Sequence, residues 1–229
     1  VFVNPTQFAP GEDFDTYPRT LDADREALLR EGVDVLFAPG EADLYPDGQG
    51  AVTVAVDRAT EGLESDSRPH FFTGVTTVVA KLLTAVRPHW LVVGKKDYQQ
   101  WVVLRRLARN LLWNTEVVAD EIVREADGLA LSSRNGYLGA DQRRRALGLY
   151  RALRAGAEQA ERGDATPEAV TATVWHHMQE AGLDPEYAAV RRAGDLEPVA
   201  DLDGPRVLLA AAHVDDVRLI DNLEMGLCS

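Results

Sequence analysis

A chain of 229 residues with 45% hydrophobic content can bury a sizeable core, and at roughly 100–200 residues per domain it forms one large domain or two modest ones. No apolar run approaches the roughly 18 residues of a membrane span, and the opening residues read as a strand instead of a basic, apolar export signal, so neither a membrane nor secretion is expected. The net charge of −13 opposes a phosphate backbone, the single Cys228 has no internal disulfide partner, and no zinc-ligand spacing occurs, which leaves no nucleic-acid partner and a cytoplasmic home as the expectations.

Residues 1–3 read as the end of a strand, and residues 20–31 as a helix stopped by Gly32 ahead of a strand at 33–38. Val75, Val78, Val79, Leu82, Leu83 and Val86 fall on one face of a helix that Arg87-Pro88 breaks, after which residues 90–93 form an apolar strand. Asp97 is expected to cap a helix carrying Trp101, Leu104 and Ala108 on one side, followed by a strand at 116–119. Strands alternating with helices predict a largely parallel, Rossmann-like sheet covered on both faces.

Beyond Ile122 the pattern changes, which places a domain boundary there and divides the chain into 1–122 and 123–229. A loop at 127–135 rich in Gly, Ser and Asn leads to a helix aligning Ala146, Leu149, Tyr150 and Leu153, whose opening arginines Arg143, Arg144 and Arg145 read as a solvated face. Thr166-Pro167-Glu168 has the cap, the first-turn proline and the acidic residue of a helix start, and Gly182 suits its end. Short, partly alternating runs at 187–191, 206–212 and 217–221 predict a small antiparallel sheet packed on helices, giving an α+β C-terminal domain.

Three segments carry candidate chemistry. Gly94-Lys95-Lys96-Asp97-Tyr98-Gln99-Gln100 follows a strand and opens a helix, where open α/β sheets bind ligands; a lysine there neutralises phosphate, yet the same residues suit an ordinary turn. In Val123-Arg124-Glu125-Ala126-Asp127-Gly128-Leu129-Ala130-Leu131-Ser132-Ser133-Arg134-Asn135, hydroxyls and an arginine offer donors to phosphates; alternatively the serines are turn or capping residues and Arg134 an ion-pair partner. Asn4-Pro5-Thr6-Gln7 places two amides at a strand end, either to hydrogen-bond a small polar acid or simply to form a turn.

Taken in order, residues 3–8, residues 12–20, the 94–100 and 123–135 segments, and the Leu-Leu-Ala-Ala-Ala and Arg-Leu-Ile-Asp-Asn runs within 206–222 resemble the pantothenate synthetase (pantoate–β-alanine ligase) family over nearly the whole chain. The resemblance implies an ATP-dependent ligase that adenylates pantoate and transfers the acyl group to β-alanine, with ATP and Mg2+ and as a homodimer. It implies that Gln7 and Gln100 hold pantoate with Asn4 in support. Gly94, Lys96 and Asp97 then meet the nucleotide, with Lys96 on phosphate, and Leu131, Ser132, Ser133 and Arg134 form the loop that grips the phosphates.

Three departures accompany the resemblance. Family members carry a His-x-Gly-His type motif on a strand and helix that contact ATP, and the chain begins after that point, so either the chain is incomplete or adenylation is impaired. Phe71 stands where a histidine belongs, with His70 one residue early, and either His70 substitutes or the position has become apolar. Asp120 and Glu121 replace an apolar stretch and would repel an anionic substrate if they faced it. These departures leave two alternatives, a diverged paralogue adenylating another acid and a non-catalytic nucleotide-binding relative.

Overall fold

The alternating periods of the sequence carry over into the structure, a computed structural model that describes residues 1–9, 11–57, 61–163 and 165–226; Cys228 lies outside the described residues. The chain forms two compact units, Val1–Trp90 with Val103–Glu116, and Leu91–Val102 with Val117–Ser229.

In the first unit a 3-10 turn, Pro5–Gln7, precedes helix α1 (Leu21–Arg30), the short helices α2 (Glu41–Leu44) and α3 (Glu64–Ser67), and the long helix α4 (Phe71–Val86). The predicted apolar stripe drives α4: Val75, Val78 and Leu83 are buried, and Val78 packs with Leu44 and Tyr45. Thr76 and Thr77 are also buried on α4, and their hydroxyls bind the backbone of Val54, so both polar groups are satisfied. Arg87, in the left-handed region at φ 51°, ends the helix immediately before Pro88.

Strand β1 (Trp90–Gly94), a 3-10 turn at Lys95–Asp97, helix α5 (Tyr98–Asn110) and strand β2 (Glu116–Asp120) follow. β1 and β2 pair as the expected parallel sheet, with α5 as the crossover between them. Residues 1–3 and 33–38 are not strands, contrary to expectation. Extended backbone becomes a strand only with a hydrogen-bonded neighbour, and among the described residues the one hydrogen bond between these two segments is from the Val1 ammonium to the Phe37 carbonyl. Nor does Asp97 cap α5: it already lies within the 3-10 turn, and among the described residues nothing donates to its carboxylate.

In the second unit strands β3 (Asp184–Arg192), β4 (Arg206–Val214) and β5 (Val217–Met225) form the predicted antiparallel sheet in the order β3-β4-β5. Helices α6 (Ala140–Ala160) and α7 (Pro167–Glu180) cover it, so Leu149, Leu153, Val170, Val174 and Met178 share one core with Leu208, Ala210 and Leu219. Thr166 caps α7 through its hydroxyl, which accepts from Ala169 N at 3.3 Å, and Gly182 at φ +75° follows the helix end. The hairpin turn between β4 and β5 is tied to α6 by Asp215, which pairs with Arg145 at 2.6 Å and accepts from Gln142 at 2.9 Å.

Gly156 sets the approach of α6. A Cβ there would lie 2.5 Å from Val174 Cγ2 and 2.9 Å from Leu208 Cδ2. Helix propensity favours alanine over glycine by about 1 kcal/mol, whereas overpacking a filled core costs about 1–3 kcal/mol. Gly156→Ala is therefore expected to lower the stability of the full chain in urea denaturation, where propensity alone would raise it.

Candidate active site

The first cluster is built around Asn4, which is 3% exposed. Its oxygen accepts from the Tyr45 hydroxyl at 2.7 Å and the Thr6 hydroxyl at 3.1 Å, while its amide donates to the Gly74 carbonyl at 3.2 Å and to Gln7 Oε1 at 3.4 Å. Burial raises the Tyr45 phenol above its ordinary range, against a lowering hydrogen bond with Thr6, so it stays protonated as a donor. Asn4 thus shapes the Pro5–Gln7 turn and holds one end of Gln7. Gly74 permits the approach, because a Cβ there would lie 2.3 Å from the Thr6 carbonyl oxygen.

The outer side of this turn is held by Arg68, which donates to the Gln7 carbonyl at 3.1 Å and pairs with Glu12 at 2.7 Å. Its guanidinium lies 4.1 Å from the centre of the Phe71 ring. At position 71 the apolar ring is therefore a platform for Arg68, while the His70 side chain is exposed and, among the described residues, bonds to nothing. Phe8 packs edge-on against Phe14 and Tyr17, at 5.2 and 5.7 Å between ring centres, which explains why residues 12–20 accompany the turn.

In the second unit, Gly94, Lys96 and Asp97 occupy the turn after β1, and Gln100 lies in the first turn of α5. Lys95 pairs with Glu224 at 2.8 Å and with Glu121. Partial burial pulls the Lys95 ammonium down, but hydrogen bonds and charges from Glu121 and Glu224 outweigh it and hold it above its ordinary range. Glu121, feared as a source of repulsion, is thus spent on a cation. By contrast, the half-buried Lys96 ammonium and Gln100 amide have no partner among the described residues.

Leu131 and Ser132 end a separate loop, and Ser133 and Arg134 open the 3-10 turn Ser133–Tyr137 that follows it. Ser132 is its cap, accepting from Arg134 N at 3.3 Å, so the capping reading of this serine holds in the structure. The preceding residues close on themselves. Gly128, at φ +96°, turns the chain so that Leu131 N reaches the Val123 carbonyl at 2.8 Å. Asn135 donates to Glu125 at 2.6 Å and to the Ala130 carbonyl at 3.0 Å, and Arg143 pairs with Glu125 and Asp127 at 2.7 and 2.8 Å. Arg143 is therefore a clasp on this loop, whereas Arg144, exposed and paired with Asp141, fits the solvated face expected.

Arg124 and the Asp221-Asn222 pair lie in segments that the sequence marks, but no role for either was legible there. Arg124 is held by Asp221 at 2.7 and 2.9 Å, and Asn222 and Glu224 bind the lysine turn. The signal was a buried Asp-Asn pair inside an apolar strand, which must find partners.

The family model and the relatives that match this chain place it among the ligases that join an acid to an amine. The chain belongs to the pantoate-β-alanine ligase family, whose model matches residues 1–224. Pantothenate synthetase from Pseudomonas paraeruginosa is 46% identical over 228 residues, covering 99% of this chain and 81% of that protein. The crystal structure of pantothenate synthetase from Thermus thermophilus matches with a TM-score of 0.92 at 43% identity, over 97% of this chain and 81% of that one. Pantoate-β-alanine ligase from Francisella tularensis, solved with β-γ ATP and β-alanine, matches with a TM-score of 0.77 at 33% identity, over 97% and 77% of the two chains. The function supported is pantoate–β-alanine ligation, and neither a different acid nor a non-catalytic role is favoured.

Two outcomes follow from this geometry. Gly74→Ala forces the Pro5–Gln7 turn outward and is expected to destabilise the chain by about 1–3 kcal/mol, read in urea denaturation. The second concerns acid. Arg143, then Asn135, hold Glu125 below its ordinary carboxylate range, and Asp127 is held low by Arg143 despite partial desolvation. A depressed carboxylate contributes stability that is complete above its unfolded pKa, about 4, and is lost as pH falls through the folded value. Arg143→Met should therefore flatten the fall of the denaturation midpoint on acidification relative to the unaltered chain.

Proposed function

We propose that the chain condenses pantoate with β-alanine in two steps on ATP. A pantoate carboxylate oxygen attacks the α-phosphorus and pyrophosphate leaves; the β-alanine amine then attacks the acyl carbon, AMP leaves with the carboxylate oxygen, and the amine gives up a proton. A carboxylate is a poor electrophile until adenylated, so holding two anions in line is most of the catalytic task.

The observation that carries the assignment is the division of labour in Gly94-Lys95-Lys96-Asp97, where two carboxylates claim Lys95 and, among the described residues, none claims Lys96. A lysine left unpaired at a strand's carboxyl end suits a phosphate. On this reading Lys96 meets phosphate, Gly94 and Asp97 border the nucleotide, and Leu131, Ser132, Ser133 and Arg134 supply the gripping loop. Gln7 and Gln100 hold the pantoate hydroxyls and carboxylate, with Asn4 fixing Gln7. The Francisella enzyme's complex with a nucleotide and β-alanine supports ATP and β-alanine as ligands here.

Magnesium belongs to this reading as an ion carried by the triphosphate. Among the described residues no three His, Cys, Asp or Glu side chains group to hold a metal, and Mg2+ commonly keeps several waters and binds through substrate phosphates. The reading extends to residues 1–122 binding nucleotide and pantoate, residues 123–229 serving as the lid domain, a homodimer, and residence in the cytoplasm, where ATP is supplied. Among the described residues no helix is long and apolar enough to cross a membrane.

The test is pantoate-dependent release of pyrophosphate by the full chain with ATP and magnesium, followed by pantothenate formation on adding β-alanine. No such release would end the assignment. Lys96→Ala is expected to weaken ATP binding about 10- to 100-fold, the effect of losing a charged hydrogen bond worth about 1.5–3 kcal/mol. Gln7→Ala and Gln100→Ala should instead weaken pantoate binding with little change for ATP, as read by isothermal titration.

A further inference from the structure

Strand β5 ends in Asp221-Asn222-Leu223-Glu224, and its polar side chains are spent on segments other than the sheet. Side chains of a strand alternate between faces, so Asn222 and Glu224 share one face and Asp221 lies on the other. On the shared face the Asn222 amide donates to the carbonyls of Lys95 and Lys96 at 2.9 and 3.0 Å. Glu224 pairs with Lys95 at 2.8 Å and accepts from the Tyr98 hydroxyl at 2.9 Å, and the hydroxyl oxygen in turn accepts from Gly194 N at 3.2 Å. Both ends of the Lys95–Asp97 turn are thereby fixed to one strand.

On the opposite face Asp221, only 4% exposed, takes two nitrogens of Arg124. Arg124 lies 3.7 Å from the centre of the Tyr150 ring and donates to the Gly128 carbonyl at 3.2 Å. It therefore anchors the loop that runs on to Ser132, Ser133 and Arg134. Burying these polar groups has a cost that apolar residues would avoid, and a buried strand gains nothing in packing from them.

We propose that Asp221, Asn222 and Glu224 are positioning residues, and that this one strand end sets the lysine turn and the serine–arginine loop in fixed register for a single nucleotide. The inference rests on the nucleotide role proposed for Lys96 and goes beyond it, because it assigns ATP affinity to residues that do not touch ATP. Asn222 acts through the backbone of Lys96, Glu224 through Lys95 and Tyr98, and Asp221 through Arg124.

The test is a double-mutant cycle on the full chain, with ATP affinity read by isothermal titration and folding by far-UV circular dichroism. Asn222→Leu keeps the side chain's size, removes both donors to the turn, and is expected to weaken ATP binding about tenfold, as couplings between touching residues do. In a Lys96→Ala background the same change should cost less than about twofold, because the group it positions is gone. A purely structural role would give equal losses in both backgrounds, and that result overturns the proposal. So does unchanged affinity in a folded Asn222→Leu protein. Should Asn222→Leu fail to fold, Glu224→Gln, which keeps the shape and the bond from Tyr98, is put through the same cycle with the same two outcomes. If Lys96→Ala alone leaves ATP affinity intact, the reading of the lysine turn itself fails; if only the Asn222 and Glu224 variants are silent, the positioning role alone falls.

Discussion

Asn222 is buried in strand β5, and a carboxamide in that place must be bonded or it destabilises the fold by about 1–3 kcal/mol. It is bonded to the two carbonyls of the lysine turn, so the position of that turn follows from the need to satisfy Asn222. Asn4 and Asn135 repeat the device. Asn4 ties its turn to the carbonyl of Gly74, and Asn135 ties its loop to Glu125 and Ala130. Each of the three has both donors and acceptors on one short, stiff side chain, which lets it join segments that are not paired as a sheet.

Charge is arranged on the same principle. In a chain with a net charge of −13 carboxylates are in excess, and within each unit several cations are held by them. Arg68 holds Glu12, Lys95 holds Glu121 and Glu224, Arg124 holds Asp221, and Arg143 holds Glu125 and Asp127. These partly buried pairs fix geometry more than they add stability, since desolvation offsets much of the Coulomb attraction. Their consequence is a difference between adjacent lysines: Lys95, beside a carboxylate pair, is occupied, and the Lys96 ammonium has no partner among the described residues.

Much of the fold was legible because it depends on local periodicity. The apolar stripe from Val75 to Val86, the cap at Thr166, the stop at Gly182 and the three tail strands all rest on neighbours within a turn or two of chain. The failures share a cause. Residues 1–3 and 33–38 have strand-like composition, but a ladder needs a partner that composition does not supply. Asp97 has the chemistry of a cap, but the preceding 3-10 turn puts it inside the helical path. Ser132 was open between capping and phosphate contact, and its bond to Arg134 N shows the first without removing the second.

By itself, the sequence determined the class of fold and several helix limits, since residue type and spacing are enough for these, and its resemblance to a known family gave the family. Tertiary structure alone decided which of two adjacent lysines is paired, that Phe71 carries Arg68, and that β5 holds two loops from opposite faces. Those outcomes join residues as far apart as Lys95 and Glu224. A hydrogen bond acts over about 3 Å, so such a pairing is settled only when the chain has folded and brought the partners within reach.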